Sequence, residues 1–211
     1  MIKISDMIGI SNARLIFGSE NDLVDFNNFS KDSRIVKDGD VFIGIKGDNF
    51  DGNDYFEEAY RKGAKTCILS KKIDIAENLK DKYKDKNLII VDNIEEFLVG
   101  LAKPIREKLN IPIIAITGSV GKTSTKNIIS DVLSSKYKVL KTSGNLNTLI
   151  GLALTILKVS DEEIAVIELG MSQAGEISKL TNFLKPNIGV IINIGTAHIG
   201  NLGSRENILK A

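Results

Sequence analysis

The amino-acid sequence predicts an α/β protein, in which a small α/β domain is followed by a doubly wound domain with a mostly parallel sheet. Short runs of β-branched and aromatic residues alternate along the chain with segments whose apolar residues recur at helical spacing. Such alternation is typical of parallel sheets covered by helices. In the second half, polar residues gather directly after the apolar runs, where open parallel sheets bind their ligands.

Composition places the chain among ordinary globular proteins and argues against some partners. Its 211 residues are 43% hydrophobic and 26% charged, which allows one large domain or two small ones. The net charge of +1 gives no bulk attraction to nucleic acid or to a membrane surface, so neither is expected as a partner. The single cysteine, Cys67, excludes an internal disulfide and is expected to be a core thiol. No signal peptide or spanning segment is visible, so a cytoplasmic protein is expected.

The first half is predicted to alternate strands and helices. Its strands are predicted at 41–45, 66–69 and 88–91. A helix over 55–62 would be capped by Asp54 and end at Gly63, and a polar helix would link the second and third strands. A further helix over 94–109 contains Pro104, which predicts a kink there or an end just before it.

The second half repeats the pattern after a break at Asn110-Ile111-Pro112, so the domains are placed at 1–105 and 106–211, with the boundary within 103–112. Its predicted strands are 113–117, 138–141, 164–168 and 188–194, and its predicted helices are 124–135, 146–157 and 176–184. The first of these helices is predicted to carry one apolar face, made of Ile128, Ile129, Val132 and Leu133. The last strand is nearly all apolar, which predicts a strand covered on both faces.

A glycine-rich turn of the P-loop type joins the strand at 113–117 to its helix. Residues 118–123 are Gly-Ser-Val-Gly-Lys-Thr, and glycines let backbone N–H groups converge on phosphate oxygens at a helix N-terminus. Lys122 can reach terminal phosphates, and the Thr123 hydroxyl can ligate magnesium. The common P-loop pattern would have glycine where Ile116 stands, so a nucleotide site of a variant kind is predicted.

Two further strand ends carry residues that could take part in chemistry. Glu168 follows a predicted strand and is either a surface charge or a group that binds magnesium or positions water beside the loop. His198 is the only histidine in the chain. It is either structural or functional, and its place after a strand predicted to be buried favours function, as a ligand of a second metal position.

Several separate motifs together resemble the Mur ligase family of peptidoglycan synthesis. That family has Thr-Gly-x-x-Gly-Lys-Thr, here Thr117–Thr123, in place of the longer glycine pattern. The other shared motifs are Gly144–Gly151, Glu168–Met171 with Gly175–Ile177, Asn193–His198, Asp32-Ser33-Arg34, Gly39–Phe42 and Lys46-Gly47 with Asp51-Gly52. The match spans most of the chain, and its first-domain motifs are similar to the UDP-sugar-binding domain of the family.

This resemblance implies an ATP-dependent amide ligase that uses Mg²⁺. The ATP-binding residues would be Thr117, Gly118, Ser119, Val120, Gly121, Lys122, Thr123 and Ser124. The catalytic residues would be Lys122, Glu168 and His198, with Lys122 stabilising the γ-phosphoryl group in transfer. Thr123 and Glu168 would bind one magnesium ion, and His198 would help to hold a second.

The implied substrates are UDP-N-acetylmuramoyl-tripeptide and D-alanyl-D-alanine. The tripeptide carboxylate would attack the γ-phosphate of ATP to give an acyl phosphate, from which the D-alanyl-D-alanine amine would displace phosphate. Ser33, Arg34 and Lys46 would contact the UDP-sugar, and Asn145 and Thr148 would lie along the substrate path.

Members of this family are considerably longer than this chain, which is therefore expected to be a fragment or a truncated gene product without ligase activity of its own. The full-length form is expected to be a monomer, whereas the fragment could self-associate through an uncovered sheet edge beside 188–194. Alternatives are a non-catalytic module that binds nucleotide or UDP-sugar, and the diaminopimelate- or lysine-adding branch of the family. A generic P-loop NTPase leaves the first domain unexplained, and folylpolyglutamate synthase shares only the loop.

Overall fold

The computed structural model describes residues 1–47, 50–70 and 77–211, which form two compact units. Unit 1 is Met1–Leu101 and unit 2 is Ala102–Ala211. The division between them falls inside a helix, slightly before the boundary predicted from the sequence, and the assignment of 1–105 and 106–211 as functional domains stays a prediction.

Unit 1 is built on a five-stranded sheet in the order β2-β7-β6-β5-β4, with a separate antiparallel pair β1-β3. The strands are β1 (Ile2–Lys3), β2 (Arg14–Phe17), β3 (Leu23–Val24), β4 (Phe29–Ser30), β5 (Val41–Gly44), β6 (Thr66–Leu69) and β7 (Asn87–Ile90). The helices are α1 (Phe56–Lys62), α2 (Glu77–Lys82) and α3 (Ile94–Lys108). The strands from β4 to β7 are parallel, and β2 pairs antiparallel with β7.

The three predicted strands of unit 1 form the centre of this sheet. Every residue of β5, β6 and β7 is buried, as expected of strands covered on both faces. Cys67 in β6 is fully buried, and burial raises the pKa of its thiol above the ordinary range. The predicted α/β class with a mostly parallel sheet is therefore confirmed.

The start of α1 differs from the prediction, whereas its end agrees with it. Asp54 does not cap α1, because a 3₁₀ turn over Gly52–Tyr55 intervenes and Tyr55 takes the N-cap position without a side-chain hydrogen bond. The other end is as predicted, since Gly63 has φ 115° and its N–H donates to the carbonyls of Ala59 and Tyr60.

Pro104 does not end α3, which continues to Lys108. Proline removes one backbone hydrogen bond from the interior of a helix. The helix nevertheless has a strongly buried face, on which Phe97, Leu98 and Ala102 are fully buried. Packing of that face favours the helical conformation, so the predicted end before Pro104 is wrong, and the alternative of a kink at Pro104 stays a prediction.

Unit 2 is built on a four-stranded, wholly parallel sheet in the order β11-β8-β10-β9. The strands are β8 (Ile113–Thr117), β9 (Val139–Lys141), β10 (Ile164–Glu168) and β11 (Ile188–Ile191). The helices are α4 (Lys122–Leu133), α5 (Leu149–Leu157), α6 (Glu176–Leu184), α7 (Ile199–Leu202) and α8 (Arg205–Lys210).

Its connections make this sheet doubly wound. The chain crosses in one direction from β8 through α4 to β9, and in the other direction through α5 and α6 to β10 and β11. Right-handed crossovers therefore put α4 on one face of the sheet and both α5 and α6 on the other. Contacts agree, because α4 packs on β8, β9 and β10, while α5 and α6 pack on each other.

The last strand departs from its prediction. β11 ends at Ile191, and Ile188 and Ile191 are 53% and 64% exposed, so this strand is not covered on both faces. In the described part of the chain it pairs with β8 on one side and with no strand on the other. The run at 188–194 has the apolar composition of a buried strand. Whether such a strand is buried depends on the elements that pack on it, and its own sequence does not specify them. Self-association through this edge stays a prediction.

None of the described helices is both long enough and apolar enough to cross a membrane.

Candidate functional site

The loop between β8 and α4 requires glycine at two positions. Gly118 has φ 146° and Gly121 has φ 85°, both in the region that side chains other than glycine rarely adopt. A Cβ at Gly118 would lie 3.2 Å from the backbone nitrogen of Asn193 and 3.2 Å from Cβ of Ile192. The tight approach of the loop to the segment after β11 therefore depends on glycine.

Gly121 is also the N-cap of α4 and has no side chain to accept hydrogen bonds from the first helical turn. The first turn contains Lys122, Thr123 and Ser124, whose N–H groups lack partners within the helix. An anion at this position would gain those donors and the positive end of the helix dipole. The ammonium of Lys122 donates to the carbonyl of Gly118 at 2.7 Å and so lies over the loop.

The rest of the loop is held by Asn193, a residue to which the sequence assigned no role. The N–H groups of Ser119 and Val120 donate to the carbonyl and the side-chain oxygen of Asn193, both at 3.2 Å. The amide of Asn193 donates back to the carbonyl of Val120 at 3.0 Å, and the hydroxyl of Ser119 accepts from Gly195 N–H at 2.8 Å. At the start of the loop, the Thr117 hydroxyl donates to the carbonyl of Leu169 at 3.1 Å.

Glu168, the last residue of β10, is a buried carboxylate at the centre of a cluster of polar side chains. Only 3% of the residue is exposed, which rules out the surface-charge interpretation. Its Oε2 accepts from the Thr123 hydroxyl at 2.9 Å and its Oε1 accepts from the amide of Asn147 at 3.1 Å. Its backbone N–H donates to the hydroxyl of Thr142 at 2.9 Å. Adjacent parallel strands end together here, which brings the predicted Thr123 and Glu168 into direct contact.

Lys126 is a member of this cluster that the sequence did not reveal. It is 3% exposed, and its ammonium donates to the carbonyl of Thr142 at 2.7 Å and lies 3.9 Å from Oε2 of Glu168. The predicted apolar face of α4 is accordingly wrong in part, because Ile128 and Val132 are 65% and 66% exposed. Lys126 and Ser130, one turn apart, face the sheet instead. The sequence contained one indication of this position, because Lys126 lies four residues after Lys122 and therefore on the same side of the helix. The apolar residues further along the helix suggested a different buried face.

None of the described hydrogen bonds of that cluster involves His198. It has φ 59°, is exposed, and precedes α7. It lines a cavity of about 90 Å³ that Lys122 also lines. Over the described ranges, no group of three or more His, Cys, Asp and Glu side chains is close enough to hold a metal ion. The structure thus brings Thr123 into contact with Glu168 and places Lys122 and His198 on one cavity. The metal-binding role of His198 stays a prediction.

The polar segment after β9 contributes a different residue from those predicted. Asn147, rather than Asn145, reaches Glu168. Asn145 is exposed in a turn, and Thr148 is the N-cap of α5, where its hydroxyl accepts from Gly151 N–H at 3.4 Å. The substrate-path roles of Asn145 and Thr148 stay predictions.

Unit 1 contains a larger cavity, of about 660 Å³. It is lined by Lys31, Asp32, Ser33, Arg34, Phe42, Ile45, Gly47, Phe50, Gly52, Tyr55 and Glu58. Two of the predicted substrate residues, Ser33 and Arg34, are therefore among its walls, whereas Lys46 is exposed outside them. Charged, hydroxyl and aromatic groups in one cavity suit a ligand with both anionic and ring-shaped parts.

Hydrogen bonds hold the two predicted substrate residues, Ser33 and Arg34, in place. The hydroxyl of Ser33 donates to Oε2 of Glu58 at 2.8 Å. Arg34 donates to both carboxylate oxygens of Asp32, from Nε at 2.9 Å and from Nη2 at 2.7 Å. These hydrogen bonds lower the pKa of Asp32 to about 2. The loop thus presents a guanidinium that is already oriented by a local carboxylate.

Comparison with known proteins places this architecture in a family. The model of the Mur ligase family catalytic domain matches residues 26–106, and the model of the Mur ligase middle domain matches residues 116–211. Together they account for most of the chain, which belongs to the Mur ligase family.

Several curated relatives to which the chain is similar carry the same name. The chain is similar to the UDP-N-acetylmuramoyl-tripeptide–D-alanyl-D-alanine ligase of Rickettsia prowazekii, with 43% identity over 89% of this chain and 40% of the relative. The ligase of that name from Bacillus subtilis is 39% identical over 85% of this chain and 38% of the relative. The chain thus spans about 40% of the length of the curated relatives it matches.

Two solved structures of similar proteins have a similar fold over most of this chain. MurF from Acinetobacter baumannii superposes with a TM-score of 0.74 at 32% identity, covering 88% of this chain and 40% of that protein. MurF ligase from Thermotoga maritima, solved in complex with ADP, gives 0.70 at 36% identity, covering 86% of this chain and 41% of that protein.

Proposed function

We propose that this chain provides the nucleotide-binding and UDP-sugar-binding parts of an ATP-dependent ligase that joins D-alanyl-D-alanine to UDP-N-acetylmuramoyl-tripeptide. The observation that carries the proposal is the direct contact of Thr123 with the buried Glu168, beside a glycine loop and an uncapped helix N-terminus. The names of the relatives supply the substrates and favour this branch over the diaminopimelate- or lysine-adding one.

The loop and first helical turn fit a nucleotide phosphate chain. Residues 118–124 would surround it, because Gly118 and Gly121 allow close backbone approach and the first turn of α4 offers N–H donors without a capping side chain. Lys122 already lies over this loop. When the nucleotide binds, the ammonium of Lys122 can leave the carbonyl of Gly118 and donate to phosphate oxygens instead. In that position it would stabilise the negative charge of the phosphoryl group during transfer.

The Thr123–Glu168 pair fits magnesium. A hydroxyl and a carboxylate oxygen 2.9 Å apart are hard ligands of the kind that Mg²⁺ accepts together with phosphate oxygens. The bound ion would supply charge neutralisation between the phosphates and an incoming carboxylate. The contribution of the chain is to hold both oxygens in place beside the loop before any ligand arrives. His198, on the cavity shared with Lys122, is proposed to act at the acceptor side.

The cavity of unit 1 fits the UDP-sugar. Arg34 offers a guanidinium for the diphosphate, Ser33 offers a hydroxyl, and exposed Phe50 and Tyr55 offer ring faces to a base. Lys46, outside the lining residues, is proposed to approach the ligand from solvent. The chain alone is proposed to bind both nucleotides without catalysing ligation. We further propose a cytoplasmic location, a monomeric full-length form, and self-association of the fragment through the edge of β11.

Separate titrations test this scheme. Calorimetry with Mg²⁺-ATP and with UDP-N-acetylmuramoyl-tripeptide should each show binding, whereas a generic NTPase should ignore the sugar nucleotide. Lys122→Ala should abolish binding of ATP and leave that of the sugar nucleotide unchanged, and Arg34→Ala should do the reverse. Lys136→Ala, at an exposed lysine of the same unit, is the matched control. Equal loss of both ligands in either variant would contradict the two-site scheme.

A further inference from the structure

Lys126 occupies a position that lysine rarely takes. It lies on the face of α4 that packs on β10 and is 3% exposed. Removing an ammonium from water is unfavourable unless charge and hydrogen bonds compensate for the lost hydration. The structure supplies both through the Thr142 carbonyl at 2.7 Å and the Glu168 carboxylate at 3.9 Å.

Its neighbour one turn earlier on α4 has a different environment. Lys122 lines the cavity of about 90 Å³ and donates to the loop carbonyl of Gly118. Lys126 is not among the residues that line this cavity, and it approaches Oε2 of Glu168, the oxygen that also accepts from Thr123. One lysine is therefore directed towards the ligand, and the other towards the side chain that would hold the metal.

From this geometry we infer that Lys126 is a positioning residue, which holds the Glu168 carboxylate in the orientation needed to share Mg²⁺ with Thr123. The inference rests on the proposed nucleotide and metal site. Lys126 does not touch the nucleotide, and its effect on binding passes through Glu168.

Thr142 makes this positioning rigid. Its hydroxyl accepts from the backbone N–H of Glu168 at 2.9 Å, while its carbonyl accepts from the ammonium of Lys126 at 2.7 Å. One residue, directly after β9, thus contacts both partners of the ion pair. On the far side, Asn147 donates to Oε1 at 3.1 Å. The carboxylate therefore cannot rotate without breaking contacts made by α4 and by Asn147.

A residue of this kind has an effect that depends on the metal. Groups that orient a metal ligand typically change metal affinity by about 10- to 100-fold when they are removed. Phosphate contacts of the loop and of Lys122 do not pass through Glu168, so nucleotide binding without metal should be independent of Lys126.

Nucleotide binding with and without metal tests the inference. ATP is titrated into the full chain and into Lys126→Met, once with Mg²⁺ and once with EDTA. With Mg²⁺ the affinity should fall by about 10- to 100-fold, and with EDTA it should be unchanged. Glu168→Gln should show the same pattern, and Lys136→Met should behave as the parent chain. An equal loss under both conditions, or a larger loss with EDTA, would overturn the inference.

A double-mutant cycle tests the pairing without any ligand. Lys126→Met and Glu168→Gln should each lower the urea midpoint of unfolding, and the double variant should lose clearly less than the two single losses together. Additive losses would overturn the inference. Failure of the parent chain to bind Mg²⁺-ATP would instead refute the proposed function, and the cycle would still decide whether Lys126 acts on Glu168.

Discussion

Two ion pairs in this chain show how burial decides the importance of a charge. Arg34 and Asp32 in unit 1, the exposed pair, meet at 2.7 Å with side chains that are 79% and 33% exposed. Lys126 and Glu168 in unit 2, the buried pair, are 3.9 Å apart with side chains that are only 3% and 4% exposed. The shorter pair is the less important for folding, because water replaces either partner at its surface.

The difference lies in what remains after one partner is removed. An exposed carboxylate regains hydration, whereas a buried one stays in a medium that solvates it poorly. The exposed pair thus determines the orientation of its two side chains and the pKa of Asp32. The buried pair instead affects the free energy of unfolding of unit 2, because either charge alone would remain in the interior. This contrast orders the following predictions from the largest effect to the smallest.

Lys126→Met should have the largest effect on stability. It leaves Glu168 without its countercharge in the interior, which lowers the free energy of unfolding by about 3–5 kcal/mol in comparable cases. Urea denaturation followed by circular dichroism measures the change. A loss no greater than that of Lys136→Met, in which an exposed lysine is changed, would contradict the contrast between the two pairs.

Gly118→Ala should come second, because it strains the loop without removing a charge. At φ 146° a Cβ would lie 3.2 Å from Ile192 and Asn193, and such strained positions cost about 1–3 kcal/mol. Nucleotide affinity should fall as well. Gly189→Ala is the matched control, since a Cβ at that position meets nothing within 4 Å. Equal losses in the two variants would show that the close approach of the loop does not matter.

Thr148→Ala should have an intermediate effect that tests its two possible roles. Loss of the N-cap of α5 should lower the free energy of unfolding by about 1 kcal/mol. If capping is its whole role, affinity for UDP-N-acetylmuramoyl-tripeptide stays unchanged, as calorimetry would show. Weaker binding with unchanged stability would instead support the predicted place of Thr148 on the substrate path.

Arg34→Ala should have the smallest effect on stability and a clear effect on titration. The pKa of Asp32 should return from about 2 towards its ordinary value of 3.8, as followed by NMR. Because the folded-state pKa is lowered, the stabilising effect of this carboxylate is present above pH 3.8 and is lost as the pH falls towards about 2. At neutral pH the variant should therefore be slightly less stable than the parent chain, by less than Thr148→Ala, because water screens this exposed pair. An unchanged Asp32 titration would mean that Arg34 does not hold this carboxylate.

Local patterns in the sequence were enough to predict the parts of the site that lie on one stretch of chain. The glycine loop follows from residues 118–123, and Glu168 follows from its place at the end of a strand. Parallel strands end at one edge of a sheet, so the proximity of the glycine loop and Glu168 was also predictable. The nucleotide and metal roles themselves stay proposals.

Residues defined by contacts across the fold could not be predicted in this way. Lys126 is buried only because α4 packs on β10, and Asn193 reaches the loop only because β11 lies beside β8. The exposure of β11 depends on whether a strand pairs on its other side, and the composition of β11 does not specify this. Helical periodicity likewise identified apolar residues on α4 but not the direction in which Ile128 points.

The side of β11 on which none of the described strands pairs has a consequence for the glycine loop. Asn193, which fixes Ser119 and Val120 by hydrogen bonds, follows the last residue of β11, Ile191, at a distance of two positions along the chain. A strand that paired along this edge would restrict the backbone leading to Asn193 and so narrow the range of loop conformations. If the loop binds ATP as proposed, the affinity for ATP would therefore report in solution whether a strand pairs with this edge of the sheet, without labelling either strand.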